Sequence, residues 1–177
     1  MTTLQKTKAL PTGTWKVDPV HSEIGFSVDY MAGTFRGTFS KFDAAATDGR
    51  LEGTADVASV QVKDPNLEAH LQGPEFFDAE RHPQLRFVAD DIVRNGNEVT
   101  VRGEITIKDE TRPIELTGTI GDPITDPWGS ERFGLELEGT IDRTAFRVSW
   151  NNPLPTGEPA LANDVKLTAD LQLVKAA

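Results

Sequence analysis

A chain of 177 residues with a formal net charge of −10 and no cysteine fits one domain, with a core large enough to stand without disulfides. The missing cysteine excludes disulfide frameworks, thiolate nucleophiles and cysteine-ligated zinc, and agrees with a reducing compartment. The acidic field works against generic binding to nucleic acid or to anionic membrane surfaces.

In chain order, residues 1–12 contain lysines but no apolar segment, so they read as a flexible tail rather than a secretory signal, and one domain is expected over 13–177. Thr14 to Asp18 gives a short strand stopped at Pro19. Ile24, Phe26 and Val28 alternate with Gly25, Ser27 and Asp29 in a second strand. Phe35, Gly37 and Phe39 continue the alternation, and Phe42 breaks its parity, which predicts a bulge. Asp48-Gly49 is a two-residue hairpin signal, and the strand from Arg50 to Val62 alternates imperfectly. Asp64-Pro65 then opens a helix, with Asp64 as N-cap, that is expected to end near residue 72 before Gly73-Pro74. A loop carries Phe76-Phe77. Leu85, Phe87 and Ala89 mark the next strand, and Asn95-Gly96 turns it into Glu98–Lys108. Ile114, Leu116 and Ile120 follow, then a loop over Asp122–Ser130, then Leu135, Leu137, Gly139 and Ile141. Asn151–Asn163 is a long Pro/Gly-rich loop that reads as a lid or a mere connection, before a last strand with Val165, Leu167, Ala169, Leu171 and Leu173.

The pattern is all-β with hairpin-like connections and one short helix over about 64–72. Two strands of about 11 residues would each span about 35 Å, which suits a tall closed barrel better than a compact sandwich. No apolar run reaches the roughly 18–20 residues of a membrane-spanning helix, and the chain reads as cytoplasmic. What lies between the apolar faces decides function: packed side chains alone, or packing plus a ligand.

Several segments together resemble one family. They are Trp15-Lys16-Val17-Asp18-Pro19-Val20-His21-Ser22, Phe26-Ser27-Val28 with Arg36-Gly37-Thr38-Phe39, and Ala69-His70-Leu71 with Phe76-Phe77-Asp78. Pro83 and Phe87, Ile105-Thr106-Ile107, Thr111-Arg112-Pro113-Ile114, Ile141-Asp142-Arg143-Thr144 with Phe146, Trp150-Asn151 and Asp164-Val165 follow in order. Over Thr14 to Lys175 the chain resembles the YceI-like family of bacterial lipid-binding proteins. The resemblance implies a single eight-stranded antiparallel lipocalin-like barrel. It also implies an apolar tunnel for a polyisoprenoid chain, such as a prenyl quinone. Lacking a signal, the chain resembles the cytoplasmic members. It departs from the family pattern at Asp29-Tyr30-Met31, Leu67-Glu68 and Lys108-Asp109-Glu110-Thr111, positions toward loops where a head group would be read.

The expected ligand-binding residues are Phe26, Val28, Phe39, Leu71, Phe76, Phe77, Phe87 and Trp150 in the pocket, with Tyr30, Arg36 and His70 at its mouth or head group. For each aromatic, ordinary core stands beside the tunnel reading. Gly37, Gly103, Gly118 and Gly139 either leave room inside or mark bulges and barrel corners. His21, His70 and His82 lack metal-ligand spacing, so no metal site is expected. His70 is read as packing at the mouth, and His21 as hydrogen-bonding Ser22 or Glu23. There is no serine elbow, and Asp90-Asp91 and Lys108-Asp109-Glu110 read as hairpin or turn surface. The expectation is therefore storage or transport of an apolar lipid, with no catalysis, no cofactor beyond a bound polyisoprenoid or quinone, no nucleic-acid partner and no integral membrane segment. A homodimer is left open. The alternatives are an enzyme acting on a lipid inside the cavity and a fully packed interaction module.

Overall fold

The computed structural model describes residues 9–176. Among them, twelve strand segments form one antiparallel sheet. They are β1 (Thr14–Val17), β2 (Glu23–Tyr30), β3 (Gly33–Phe39), β4 (Phe42–Thr47), β5 (Arg50–Asp56) and β6 (Val60–Gln61), then, after helix α1 (Pro65–Gln72), β7 (Gln84–Asn95), β8 (Glu98–Ile107), β9 (Glu110–Ile120), β10 (Ile124–Thr125), β11 (Glu131–Asp142) and β12 (Leu161–Lys175).

The segments make eight staves because four staves are interrupted, one of them where β9 runs on into β10 along the same edge of β11. β1 and β2 are one stave broken by a 3-10 turn at Pro19–His21, where Pro19 cannot supply the next ladder N–H. β3 runs on into β4 across Ser40-Lys41. β5 runs on into β6 across the 3-10 turn Val57–Ser59. The parity break at Phe42 is thus a break between segments. β12 closes the ring: it pairs with β11 from Arg132↔Val174 to Asp142↔Asp164, and on its other edge with β1 and β2. The architecture is a closed eight-stranded antiparallel barrel with one helix, and closure leaves the staves without free edges along most of their length.

Alternation sets the inside. Val99, Val101, Ile105 and Ile107 of β8 are buried while Arg102 and Glu104 face solvent. The strand glycines are corners. A Cβ on Gly118 would stand 1.7 Å from the Glu136 carbonyl oxygen, and one on Gly103 2.2 Å from that of Val88, opposite the bulge between Ala89 and Asp91. The rings of Phe26 and the methyl of Leu116 lie over Gly37 and Gly139, so these glycines admit neighbours rather than empty space. Asp90-Asp91 lie at this bulge within β7, on the β7–β8 hairpin with Asp90 exposed, which is the hairpin-surface alternative of their reading and not the turn.

The two ends differ. At one end Ala9, Leu10, Trp15, Ile92, Phe133 and Leu173 are packed together with almost no exposure. Trp15 meets Phe133 edge-on with centroids 5.1 Å apart, and its indole N–H donates to the Thr12 carbonyl at 3.0 Å. Of the expected tail, residues 1–8 lie outside the described residues, while Ala9 and Leu10 belong to the packed end. Arg132 straps this end from outside, donating to Asp126 Oδ2 (3.0 Å), Asp18 Oδ2 (3.1 Å) and Gln172 Oε1 (2.9 Å). His21 Nδ1 lies 2.7 Å from Asp18 Oδ2, so its partner is Asp18 and not Ser22 or Glu23, because the 3-10 turn brings i and i+3 together.

The other end collects the Tyr30–Gly33 turn, the β6–β7 connection with α1, the Lys108-Asp109 turn and the β11–β12 connection. The helix forms as its sequence predicts: Asp64 accepts from the Asn66 N–H at 2.9 Å, Pro65 takes the first position and Gly73 ends it. Asp48-Gly49 has φ of 50° and 85°, the turn the sequence signal requires. Lys108 and Asp109 adopt the same left-handed conformation without a glycine, at φ 53° and 62°. No helix among the described residues is long and apolar enough to cross a membrane.

Candidate binding cavity

The barrel is hollow toward the α1 end. Two apolar compartments of about 120 Å³ each lie one above the other. Phe39, Leu85, Ile105 and Leu167 line both and form the waist between them. The inward faces of β2, β3, β8, β11 and β12 wall the upper compartment. Its roof comes from Leu67 and Leu71 of α1, Phe76 and Phe77 after it, and Phe146, Val148 and Trp150 of the β11–β12 connection. The lower compartment is walled by Ala44, Leu51, Ala55, Phe87, Leu116, Ala169 and Leu171, among others.

Rings knit the upper wall to the roof. Phe26 lies 6.1 Å from Phe35, 5.8 Å from Phe39 and 6.2 Å from Phe77, and Phe39 lies 5.9 Å from Phe77. These are tilted and edge-on contacts, the geometry that aromatic quadrupoles favour. Above them the His70 ring stands edge-on to Phe76 (4.8 Å) and Trp150 (5.1 Å), which are 5.5 Å from each other. One histidine thereby couples α1, the loop behind it and the β11–β12 connection.

Two cations are buried beside this roof. Arg143, 4% exposed, donates from Nε to the Ala162 carbonyl (2.8 Å) and from Nη1 to those of Val148 (2.7 Å) and Trp150 (2.9 Å), with longer contacts from Nη2 to Leu161 and Asn163. Burial pushes its guanidinium below the ordinary value, and the neighbouring Asp142 carboxylate opposes that shift. Its planar fork is what lets one side chain hold so many carbonyls. Lys108 donates to the carbonyls of Arg147 (2.9 Å) and Pro74 (3.2 Å), and Arg147 donates back to the Lys108 carbonyl. Burial lowers the Lys108 ammonium too, Arg147 adds to the fall and Asp78 opposes it. The turn expected on the surface therefore has a buried lysine, because two loops close over its stem.

Of the expected site residues, Phe26, Val28, Tyr30, Phe39, Leu71, Phe76, Phe77 and Trp150 line the upper compartment, and Phe87 lines the lower one. His70 sits in the roof without lining the cavity. Arg36 does not join them: it is exposed, and alternation along β3 sends it outward between the inward Phe35 and Gly37. The histidines are apart: His70 Nε2 faces Glu75 at 3.6 Å, His82 Nδ1 faces Asp109 at 3.3 Å, and among the described residues no three acidic or histidine side chains are grouped to hold a metal ion.

A family description covers nearly this whole barrel: the YceI-like domain matches residues 15–173. The chain belongs to the YceI-like family. It is 31% identical over 168 residues to a UPF0312 protein of Staphylococcus epidermidis, covering 88% of this chain and 94% of that one. It is 26% identical over 136 residues to Protein YceI of Escherichia coli O157:H7, covering 72% and 71%. Among solved structures, Burkholderia cenocepacia BcnA superposes with a TM-score of 0.71 at 25% identity, over 90% of this chain and 99% of that one. A polyisoprenoid binding domain from Saccharophagus degradans, implicated in plant cell wall breakdown, superposes with a TM-score of 0.66 at 9% identity, over 92% and 98%, which is a likeness of fold.

Sequence reasoning missed Arg143, Leu67, Ile107, Ile141, Val148, Leu161, Val165 and the waist residues other than Phe39 as cavity wall in this YceI-like chain. Those on strands carry inward parity, which was the available signal, whereas Leu67 on α1 and Val148 in the β11–β12 connection carry no strand parity. Arg143 carries no signal, since nothing local distinguishes an arginine that folds back onto a loop from one in solvent.

Proposed function

We propose that this YceI-like barrel, with residues 13–177 acting as one domain, binds a long-chain apolar lipid, a polyisoprenoid or prenyl quinone. It stores, carries or shields that lipid in the cytoplasm without catalysis. The observation that carries the reading is the upper compartment. Its wall is almost wholly apolar, it includes no Asp, Glu, His or Ser, and the one charged group in it, Arg143, spends its donors on backbone carbonyls. Such a lining offers an acid–base mechanism no partner and suits a hydrocarbon. The Saccharophagus degradans domain of the same fold is a polyisoprenoid binding domain, which supports the same ligand class.

The energetics agree. Covering about 500 Å² of apolar ligand gains on the order of 12 kcal/mol gross. Ordering and immobilisation cost at least about 4 kcal/mol, which leaves roughly 8 kcal/mol at most, a micromolar affinity. The test is mass spectrometry of an organic extract of the native protein. A prenyl lipid at about one per chain supports the proposal. A protein that carries no lipid when purified, and takes up none when offered prenyl alcohols or quinones, sinks it.

A further inference from the structure

We infer that the rim formed by the β2–β3 turn and the β11–β12 connection docks on the surface of a neutral lipid bilayer, and that the cavity exchanges its lipid with the bilayer there. The inference rests on the lipid-binding reading above and adds the partner that supplies or receives the lipid.

Charge is depleted on this rim. In the whole chain 26% of residues are charged. Residues 30–35, across the β2–β3 turn, carry no charge, and residues 148–162, in the β11–β12 connection, carry Glu158 alone. The charges that bound the two segments in the chain are Asp29 and Arg36, and Arg147 and Asp164, two of each sign. In a chain of net charge −10 the rim is thus close to neutral, and a neutral surface suits a zwitterionic bilayer, where the acidic remainder of the barrel meets no fixed negative charge. The other side of the same end differs, with five carboxylates between residues 64 and 80. What the rim turns to solvent is mostly apolar: Met31 is 64% exposed, and Ala32, Pro153, Pro155 and Pro159 are exposed beside it.

The two segments make one surface. The Met31 N–H donates to the Ala160 carbonyl at 2.8 Å, and Tyr30 stands in register with Leu161. The connection folds back as a small hairpin, with Pro153 bridged to Pro159. Within it the Leu154 N–H donates to the Glu158 carbonyl and the Gly157 N–H to the Leu154 carbonyl, both at 2.8 Å. Asn151 grips Leu161 twice, from Nδ2 to its carbonyl (2.7 Å) and at Oδ1 from its N–H (3.0 Å). Backbone groups that are already paired lower the cost of leaving water. The rim is also continuous with the cavity, since Tyr30, Trp150 and Leu161 belong to it and line the upper compartment. The rival exposed patch, Trp128 at 81% and Ile124 at 63%, lies at the packed end, where the core behind it is solid.

The experiment loads the delipidated chain with geranylgeraniol and follows its release to phosphatidylcholine vesicles by mass spectrometry of the protein after the vesicles are spun out. Release through contact is expected to quicken in proportion to vesicle concentration. Met31→Asp and Thr156→Asp each place a carboxylate on an exposed turn of the rim, and aspartate tolerates the left-handed backbone at Met31, φ 52°. Each is expected to slow release by about fivefold or more, while the affinity for geranylgeraniol without vesicles stays within about twofold. Two variants are made so that misfolding of one, seen by circular dichroism, still leaves a test. Mixing phosphatidylglycerol into the vesicles is expected to slow the parent, and added salt to restore it. Brominated phosphatidylcholine is expected to quench the fluorescence of a Trp128→Phe variant, in which Trp150 is the tryptophan at the rim and Trp15 is buried at the packed end. Four results each overturn the rim while leaving lipid binding intact: release independent of vesicle concentration, unchanged release in a folded aspartate variant, faster release to phosphatidylglycerol, or quenching lost with Trp128. A chain that holds no geranylgeraniol without vesicles overturns the lipid-binding reading and the docking rim with it.

Discussion

Arg143→Met replaces the buried guanidinium with an apolar side chain of similar reach. The strong bonds it removes are those to the carbonyls of Ala162, Val148 and Trp150; the Leu161 carbonyl keeps a second donor in Asn151 Nδ2 at 2.7 Å. Three charge-assisted bonds at about 1.5–3 kcal/mol each are set against relief from burying a charge, which is several kcal/mol in the other direction. Part of the freed loop also finds water. The net loss expected is about 3 kcal/mol of folding stability, measured by urea unfolding. Amide exchange adds the location: protection should fall over residues 147–161 while the β7–β8–β9 ladders keep theirs. Arg143→Lys should recover less than half, because an ammonium lacks the planar fork that reaches carbonyls on both sides of the connection. A folded Arg143→Met protein within about 0.5 kcal/mol of the parent, with exchange unchanged over 147–161, would refute the view that this side chain holds the roof.

Gly118→Ala places a methyl 1.7 Å from the Glu136 carbonyl oxygen, so β9 and β11 must part; a loss of about 3 kcal/mol is expected in the urea midpoint, and a neutral result contradicts the corner. Trp15→Ala empties the packed end and should cost about 3–5 kcal/mol, read from thermal unfolding. The Asp18–Arg132–Asp126 strap gives a pH dependence. Asp18 is held below its ordinary 3.8 chiefly by the His21 hydrogen bond, with Arg132 contributing; Asp126 is held below 3.8 chiefly by the Ser130 N–H, again with Arg132 contributing. Carboxylates with depressed folded values stabilise the protein above the unfolded value, and that stability goes as the pH falls through the folded values. Unfolding free energy should therefore hold down to about pH 4 and drop below it. Arg132→Gln should flatten the drop, and an acid limb of equal slope in the variant would remove the strap from the account.

The alternation of Val99, Val101, Ile105 and Ile107, the Asp48-Gly49 and Asn95-Gly96 turns and the Asp64-Pro65 helix start were all legible in the chain, because each depends on neighbours within a few residues. So were most of the aromatic residues that line the upper compartment, through strand parity together with the family resemblance. Arg36 shows the limit of ranking by residue type: parity already sent it outward. Lys108 and Arg143 show a different limit, since burial of each depends on loops that arrive from 34 to 39 positions away in one case and from five to nineteen in the other.

By itself, then, the order of residues determined a one-sided antiparallel sheet, its turns and its family. Only the closed barrel decided that the space inside divides at Phe39, Leu85, Ile105 and Leu167, ends above Trp15 and Phe133, and is roofed by loops pinned on two buried cations. The reason is physical: pleat and turn geometry are local, whereas a void is whatever volume eight curved staves fail to fill, and that depends on side chains brought together from the whole length of the chain.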